Sequence, residues 1–574
     1  MNSKQKLRTK IIFFLIVIGA VFIAVSLYWI QIVRGDKYAI KADEQYIKQS
    51  ATTFDRGSIY FLSKEGTRVS AAALGSGYVL FVNPTLIASP SATFDALSQY
   101  IKLDKTEFIR RASKPNDLYE ELSKQISEKN ALSIKNLGLA GVGVKRENWR
   151  SYPGGSMAAH EIGIIGEDAS STVAVGRYGL ERFYESVLSR TGASSNMNAF
   201  AQIFSGVRDS VFGGGDDAKG DIITTIEPAT QKYLEKILSQ TSAIWRPDEI
   251  GGVIIDPSNG EILAMSSLPT FDPNNTALIT KISVLSNPLV ENSYEMGSIM
   301  KPLTMAAGFD VKAITPKTTY DDTGTIILNG KTIGNYDKKA RGITNMQEVL
   351  SQSLNMGAAW VALKIGKDDF AKYFSDFGIG SKTGIDQPNE TVGIVGNLKS
   401  GRDVEIATAA YGQGLAISPI AMTRALSVLA SGGYLITPHL AKEMDFMNGT
   451  TKIIEVKKGK SVLRKETTDE VTRMLVKVVD ESMSVKHPNL RMERYSIAAK
   501  TGTAQIPDHT NGGYYSDRYL HSFFGYFPAY NPKFLVFLYQ VHPKGAEYAS
   551  ETLIEPFGEI TKYLINYYNV APDR

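Results

Sequence analysis

The chain has 574 residues, of which 43% are hydrophobic and 21% charged, and its formal net charge is +4. One hydrophobic core does not extend over such a length, so we expect two to four domains. No basic stripe with interleaved aromatic residues is evident, which argues against binding to nucleic acid. The absence of cysteine excludes disulfides, thiolate metal sites and a cysteine nucleophile.

The N-terminal segment predicts a membrane anchor. Residues 1–10 contain four basic residues and no acidic one, and residues 11–33 are uncharged. A helix rising about 1.5 Å per residue would span a bilayer over that length. The positive charge places the short tail, residues 1–10, in the cytoplasm and everything after the anchor outside the membrane. A cleaved signal peptide is the alternative, but the apolar run is longer than usual and no small-residue cleavage site follows it.

Residues 34–220 predict a mixed α/β domain without a catalytic cluster. Phe54 to Tyr60 is strand-like, and Leu103 to Asn136 has the charge and periodicity of a pair of surface helices. A short helix begins near Tyr178. From Arg190 to Gly220 small and polar residues dominate, which indicates a linker. We interpret this region as a non-catalytic pedestal.

Residues 221–574 predict a second, α+β domain. Strands or helices are expected at 221–226, 228–239, 251–256, 261–265, 495–504, 523–527, 534–541 and 553–568. Residues 251–265 form a hairpin around an Asn-Gly turn. The economical arrangement is an antiparallel sheet built by strands from both ends of the domain, with a helical portion between them.

A serine and a lysine lie in the segment before this helical portion. Lys301 follows Ser298 by three residues, so on a helix the two side chains share a face. A neutral, buried lysine can remove the proton of a serine hydroxyl and make it a nucleophile. Pro302 is tolerated only if the helix begins near Ser298. The backbone N–H of Ser298 would then be free at a helix N-terminus, facing a developing oxyanion.

Two later clusters supply the remaining groups of a serine acyl-transfer site. Ser353 and Asn355 are spaced to direct a hydroxyl and an amide into one cleft, and Lys500-Thr501-Gly502-Thr503 ends an apolar strand. Gly502 would permit close approach of a substrate to the backbone. With Ser298 and Lys301 this is the signature S-x-x-K, S-x-N, K-T-G.

A second K-T-G tests this interpretation. Lys382-Thr383-Gly384 lies among glycines and before Asp386-Gln387-Pro388-Asn389, which is turn chemistry and not a strand end. We therefore assign Lys382 to a surface loop and retain Lys500.

With these three clusters the chain resembles the class B penicillin-binding proteins, the monofunctional peptidoglycan D,D-transpeptidases. The resemblance runs from the anchor to the end of the chain. Its further motifs are Arg56-Gly57-Ser58-Ile59, Tyr152-Pro153-Gly154 with His160 and Gly163, Gly179-Leu180-Glu181, Asp256-Pro257 with Gly260-Glu261-Ile262-Leu263-Ala264-Met265, Phe271-Asp272-Pro273-Asn274 and Tyr411-Gly412-Gln413-Gly414. Met296 replaces the usual proline and Ile299-Met300 the usual Thr-Phe or Thr-Val, without loss of a chemical group. The resemblance implies a fold like that of serine β-lactamases for the catalytic domain.

The resemblance also implies roles for the residues. Ser298 would attack the D-Ala-D-Ala carbonyl of a stem peptide, and Lys301 would take its proton. Ser353, helped by Lys500, would pass a proton toward the leaving D-alanine. The backbone N–H groups of Ser298 and Thr503 would form the oxyanion hole.

Substrate binding is implied for the remaining motif residues. Asn355 would hold a substrate amide, while Thr501 and Thr503 would bind the terminal carboxylate beside Gly502. The amine of a second stem peptide would resolve the acyl-enzyme, and a β-lactam would acylate the same serine. No metal or cofactor is required, and the six histidines match no metal-binding spacing.

Other functions stay open. A serine β-lactamase or D,D-carboxypeptidase would use the same clusters, although the long pedestal argues against a compact hydrolase. A scaffold of the division or elongation complex is a third possibility. The region before residue 221 shows no glycosyltransferase domain, so a partner membrane polymerase is expected to make the glycan. Length favours the septal branch over the elongation branch.

Overall fold

The computed structural model describes residues 54–168, 171–190, 219–455, 459–508 and 510–574. The predicted anchor, residues 11–33, and nearly all of the predicted linker lie outside the described residues. Within them, none of the helices combines the length and the apolar character that crossing a membrane requires. The chain divides into two compact units: a small unit with residues 76–149, and a large unit with residues 56–75 and 150–574.

The described residues form twenty strands. They are β1 (Ile59–Leu62), β2 (Arg68–Val82), β3 (Glu120–Ile126), β4 (Val142–Ser151), β5 (Ile165–Asp168), β6 (Ser171–Gly176), β7 (Gly220–Thr224), β8 (Glu249–Ile255), β9 (Ile262–Leu268), β10 (Thr319–Asp322), β11 (Thr325–Leu328), β12 (Lys331–Gly334), β13 (Gly342–Asn345), β14 (Tyr434–Leu435), β15 (Ala441–Phe446), β16 (Thr451–Ile453), β17 (Lys460–Ser461), β18 (Ala498–Pro507), β19 (Tyr514–Phe527) and β20 (Phe534–Val541).

The same residues form eighteen α-helices. They are α1 (Pro90–Leu97), α2 (Lys105–Ala112), α3 (Glu128–Asn136), α4 (Ala159–Ile162), α5 (Gly179–Phe183), α6 (Glu185–Leu188), α7 (Pro228–Trp245), α8 (Pro288–Glu291), α9 (Lys301–Asp310), α10 (Met346–Ser351), α11 (Asn355–Ile365), α12 (Lys367–Asp376), α13 (Asp403–Ala409), α14 (Pro419–Ala430), α15 (Lys465–Lys477), α16 (Ser484–Lys486), α17 (Ala549–Thr552) and α18 (Ile554–Tyr567). A 3₁₀ turn at Gly297–Met300 leads into α9, and further such turns lie at Pro84–Leu86, Thr276–Leu278, Ile282–Leu285, Gly396–Lys399 and Pro488–Leu490, with a π-helical turn at Val478–Met483.

The small unit corrects one prediction. The segment 103–136 forms not two helices in succession but α2, then β3, then α3. Strand β3 pairs antiparallel with the second half of β2, with Tyr78 opposite Ile126. The charged residues of 120–126 suggested a helical surface, but the backbone hydrogen bonds offered by β2 decide the conformation there. Leu80, Phe108 and Ile126 lie in the core of this unit.

A five-stranded antiparallel sheet is the centre of the large unit. Its order is β18-β19-β20-β8-β9, so strands from both ends of the 221–574 segment lie side by side, as predicted. The hairpin of β8 and β9 is also confirmed. On one face Phe523 packs against Phe557 of α18, with ring centroids 4.6 Å apart. The large helical core containing Met296, Ile299 and Leu303 includes residues of the opposite face, such as Phe524.

A second sheet of the large unit combines distant parts of the chain. Strand β1 runs parallel to β7, with Ile59 opposite Ile222, and β7 runs antiparallel to β15. The sheet therefore includes strands from both sides of residue 221.

Several elements are longer than predicted. Strand β19 begins at Tyr514, nine residues before the predicted start, because its first half is exposed and polar and therefore lacks an apolar signal. Helix α7 continues to Trp245. The predicted helix 553–568 is α18, and the short helix α17 precedes it.

Candidate active site

Ser298 lies where the sequence predicted a helix start. It occupies the 3₁₀ turn that runs directly into α9, and Pro302 lies in the first turn of α9, where a missing N–H is harmless. Gly297 has a φ of 65°. A Cβ atom there would lie 2.6 Å from the carbonyl oxygen of Thr503. Only glycine allows the serine segment to approach β18 so closely.

Lys301 is completely buried and contacts the hydroxyl of the predicted nucleophile. Its Nζ lies 3.0 Å from Oγ of Ser298. The same nitrogen lies 2.5 Å from the carbonyl oxygen and 3.1 Å from Oγ of Ser353, and 2.8 Å from Oδ1 of Asn355. These partners are all uncharged. A neutral amine at this position has a lone pair available for the Ser298 proton.

Lys500 reaches the same centre from β18. Its Nζ donates to Oγ of Ser353 at 3.0 Å and to the carbonyl oxygen of Thr501 at 3.0 Å. Ser353 therefore connects the two lysines. Its φ of 55° is in the left-handed region, which a serine adopts at a cost of about 1–3 kcal/mol and which is typical of functional sites. The structure thus brings Ser298, Lys301, Ser353, Asn355 and Lys500 together.

Burial controls the charge of both lysines. It lowers the pKa of Lys301 well below its usual value, and the nearby charge of Lys500 lowers it further. Burial alone lowers the pKa of Lys500 to about 7. Both ammonium groups therefore lose a proton more easily than a free lysine does, which favours a neutral amine beside Ser298. Lys500 is close to its titration midpoint near neutral pH.

Gly502 of the K-T-G strand lies close to the serine segment. A Cβ atom on Gly502 would lie 2.3 Å from Oγ of Ser522 and 2.7 Å from the carbonyl oxygen of Met296. The glycine therefore admits the serine segment, and close approach of a substrate to it stays a prediction. Thr501 and Thr503 are half-buried, and Oγ1 of Thr503 accepts from the N–H of Ala549 at 3.0 Å.

Asn355 begins α11 and links the site to a neighbouring strand. Its Nδ2 donates to the carbonyl oxygen of Gly334 at 2.9 Å, while its Oδ1 faces Lys301. Hydrogen bonds at both Nδ2 and Oδ1 therefore fix the orientation of the Asn355 amide.

Sequence reasoning missed the buried Ser522. Its hydroxyl donates to the carbonyl oxygen of Met296 at 2.7 Å, and it lies opposite Gly502 in the β18–β19 ladder. Its position offered no local signal, because Ser522 lies one residue before the predicted strand 523–527.

Glu295, three residues before Ser298, was also missed. It accepts from the hydroxyl of Tyr514 at 3.1 Å, and burial raises its pKa to about 7. Tyr336 and Tyr548 make an edge-to-face contact with ring centroids 6.2 Å apart.

The second K-T-G lies in a loop, as predicted. Lys382 is exposed, and the backbone N–H of Thr383 donates to Glu390 at 2.5 Å.

Comparisons with known proteins agree with this geometry. Residues 250–561 match the penicillin-binding protein transpeptidase domain, and residues 56–201 match the penicillin-binding protein dimerisation domain. Stage V sporulation protein D of Bacillus subtilis is 30% identical over 99% of this chain and 87% of its own length. Peptidoglycan D,D-transpeptidase FtsI of Buchnera aphidicola subsp. Schizaphis graminum is 26% identical over 96% and 94%.

A solved structure shares the fold. Penicillin-binding protein 3 of Mycobacterium tuberculosis, in complex with aztreonam, superposes with a TM-score of 0.67 at 22% identity, covering 91% of this chain and 98% of that one. The chain belongs to the class B penicillin-binding proteins, with a transpeptidase domain and a dimerisation domain.

Proposed function

We propose that this protein is a peptidoglycan D,D-transpeptidase that acts through an acyl-enzyme on Ser298. The observation that supports this most directly is the contact between Nζ of the fully buried Lys301 and Oγ of Ser298 at 3.0 Å. A lysine buried among uncharged partners is kept neutral and can serve as a base.

Acylation would begin with transfer of the Ser298 hydroxyl proton to Nζ of Lys301. Oγ would attack the carbonyl carbon between the two terminal D-alanines of a stem peptide, giving a tetrahedral intermediate. The hydroxyl of Ser353 would then protonate the leaving amine and regain a proton from Lys500 or Lys301, both within 3.1 Å of its Oγ. Release of D-alanine would leave an ester on Ser298.

The second half of the reaction would reverse these proton movements. The amine of a second stem peptide would attack the ester carbonyl, and Oγ of Ser298 would leave with a proton returned from Lys301. The product is a peptide cross-link. The backbone N–H groups of Ser298 and Thr503 would stabilise the oxyanion, where losing one such donor typically costs about 10²–10³ in rate.

Substrate recognition would involve the remaining residues of the three motifs. Thr501 and Thr503 would bind the terminal carboxylate beside Gly502, and Asn355 would bind a peptide amide. A β-lactam would acylate Ser298 in the same way, which agrees with the aztreonam complex of the related structure.

We further propose that the chain is anchored in the cytoplasmic membrane by residues 11–33, with residues 1–10 in the cytoplasm and the catalytic domain outside. A role in septal wall synthesis, beside a membrane glycan polymerase and other division proteins, is supported by the relative named FtsI. Residues 34–220 would be the pedestal and residues 221–574 the catalytic domain.

Intact-mass measurement of the purified chain with benzylpenicillin tests the proposal. A lasting adduct on the wild type and none on Ser298→Ala is the expected result. Rapid turnover of the drug without an adduct would point to a β-lactamase or carboxypeptidase. A folded chain that neither binds nor turns over the drug would point to a scaffold.

A further inference from the structure

A buried polar cluster lies in the large unit on elements outside the catalytic motifs. It is formed by α4, α7 and the turn that begins α8. Glu161 on α4 is 1% exposed, and its neighbours Asn287 and His160 are almost as deeply buried. The proposed mechanism uses none of these residues. A buried carboxyl with no assigned role is unusual, because its charged form is poorly solvated in the protein interior.

The contacts of Glu161 are few. Its Oε1 accepts from Nδ2 of Asn287 at 3.1 Å, and its backbone carbonyl accepts from Nε2 of Gln387 at 2.9 Å. Its Oε2 is buried and has no hydrogen-bond partner among the described residues. No cation is among the partners of this carboxyl, which distinguishes it from Glu181 in the same unit.

The surrounding groups favour a protonated Glu161. Burial raises its pKa to about 8, and the charge of Glu235 on α7 contributes in the same direction. His160 on α4 cannot compensate, because burial lowers its pKa to about 4. The other charged residues of the packed elements are Glu291 on α8, Asp386 beside Gln387, and Glu181 and Arg182 on α5. Glu181 is paired with two arginines. In its neutral form Glu161 places a carbonyl oxygen toward Asn287 and a proton on Oε2.

Asn287 connects this carboxyl to the nucleophile segment. Its Oδ1 accepts from the N–H of Leu289 at 3.1 Å and so caps α8. The backbone N–H of Asn287 donates to Oε1 of Glu291 at 3.0 Å, which adds a second hydrogen bond at the start of α8. Since Nδ2 of the same amide is held by Glu161, the carboxyl sets the orientation of the cap.

Helix α8 ends seven residues before Ser298. Leu289 and Val290 of α8 are fully buried in the same core as Met296 and Ile299, which flank the serine. The intervening chain is held by the bond from the N–H of Tyr294 to Ile417 at 2.9 Å. Helix α8 and the serine segment are thus joined by a short stretch of backbone within one core, and a displacement of α8 would reach Ser298 along this stretch.

We propose that Glu161 is a positioning residue for Ser298, acting in its protonated form through the Asn287 cap of α8. The inference rests on the proposed function, since its readout is acylation of Ser298. A neutral Glu161 holds the Asn287 amide without burying a charge. Its ionised form is also an acceptor, but it would place an unpaired anion in the interior and disturb the packing of α4 against the Asn287 turn.

Acylation rate constants with benzylpenicillin, measured on the purified full-length chain from pH 6 to 9, test this. Glu161→Gln keeps an uncharged acceptor for Asn287 and should match the wild type at pH 7. Glu161→Ala leaves the cap amide free and should acylate about tenfold more slowly, because small displacements of a reacting group are costly. Asn287→Asp keeps the acceptor that caps α8 but loses the donor to Glu161, and should also be slow.

Thr472→Val is the matched control. It removes one buried hydrogen bond of the same unit, to Tyr526 at 2.7 Å, without touching α4 or α8. Its thermal stability should fall while its acylation rate does not. Equal slowing in the control and in Glu161→Ala would overturn the proposal, and so would a folded Glu161→Ala that acylates at the wild-type rate.

The ratio of the wild-type to the Glu161→Gln rate constant gives a second test that does not require Glu161→Ala to fold. Titration of Lys500 affects both proteins and cancels in this ratio. The ratio should be constant below about pH 7 and fall with a midpoint near pH 8, as Glu161 ionises in the wild type only. A ratio independent of pH would overturn the proposal. Failure of the proposed function is distinguishable, because then the wild type itself would not be acylated.

Discussion

The large unit buries two groups of cations in opposite ways. Arg56 and Arg150 are buried with Glu181 between them, at 2.6 Å from each guanidinium. Burial alone would raise the pKa of Glu181, but attraction to the two arginines brings it below its usual value. Lys301 and Lys500 are equally buried, yet their hydrogen-bond partners are hydroxyls, carbonyl oxygens and an amide. In the arginine group a buried carboxylate neutralises the positive charge. In the lysine group burial among uncharged partners disfavours the charged form.

This difference separates structural from chemical use of a buried cation. A compensated ion pair keeps fixed protonation states and fixes the backbone around it. An uncompensated amine is kept near neutrality and is therefore free to exchange a proton at physiological pH. Four measurements test whether the arginine group serves stability and the lysine group serves catalysis.

Removing the shared anion of the arginine group should have the largest effect. Glu181→Ala removes the carboxylate shared by two buried guanidinium groups and leaves Arg56 with Glu185 as its other carboxylate. Breaking a buried ion pair typically costs about 3–5 kcal/mol. Chemical denaturation monitored by fluorescence measures the loss. Glu185→Ala is the control, because its side chain is 26% exposed and contacts only one of the two arginines, Arg56, together with the N–H of Gly176. A loss no greater than that of the control would contradict the structural assignment.

Titration of the two lysines should instead determine how the acylation rate depends on pH. With Lys301 as base and Lys500 as the protonated partner, acylation by benzylpenicillin should fall on the acid side as Lys301 gains a proton. It should also fall on the alkaline side as Lys500 loses its proton near pH 7, by at most about tenfold per pH unit. Lys500→Arg keeps its charge at every accessible pH, so its slower reaction should lack the alkaline limb. An alkaline limb retained in that variant would rule Lys500 out as its source.

Replacing an uncompensated lysine should stabilise the fold. The lowered pKa means that the unfolded chain binds more protons than the folded chain between about pH 7 and the usual lysine pKa. The stability cost of Lys500 is therefore greatest below pH 7 and disappears above its usual pKa. Lys500→Met should raise the free energy of unfolding by about 0.5–2 kcal/mol at pH 7, with a smaller gain at pH 10. A gain that does not shrink with rising pH would contradict this origin.

The smallest effect on stability and acylation is expected for the second K-T-G sequence, Lys382-Thr383-Gly384. Lys382→Ala changes an exposed loop side chain and should alter stability by less than about 0.5 kcal/mol. Acylation should be unchanged, whereas Lys500→Ala should be strongly impaired in the same assay. Impaired acylation in Lys382→Ala would mean that the loop contributes to the site.

The features that could be predicted from the sequence depend on residues that are close together in the chain. Ser298 and Lys301 share one helical turn, and the two glycine-flanked lysines differ in the strand character of their surroundings. The antiparallel sheet could be predicted because β8, β9 and β20 contain apolar runs and β18 is entered through one. Strand β3 could not, because its pairing with β2 outweighs a charged, helix-like composition.

Contacts between residues that are far apart in the sequence could not be predicted. The bond between Glu161 and Asn287 joins residues 126 positions apart, and Ser522 meets Met296 across 226 positions. Neither pair has a local pattern, because each depends on how separate elements pack. Gly502 was recognised as a point of close approach, but the backbone that approaches it is that of the serine segment.

The backbone contacts of Gly297 also bear on how the enzyme is made. Its N–H donates to Gly412 at 3.0 Å, and a Cβ on it would collide with Thr503. The nucleophile is thus held between segments more than a hundred residues further along the chain. A nascent or partly folded chain that lacks either segment cannot assemble the reactive serine, so acylation reports that the large unit is complete.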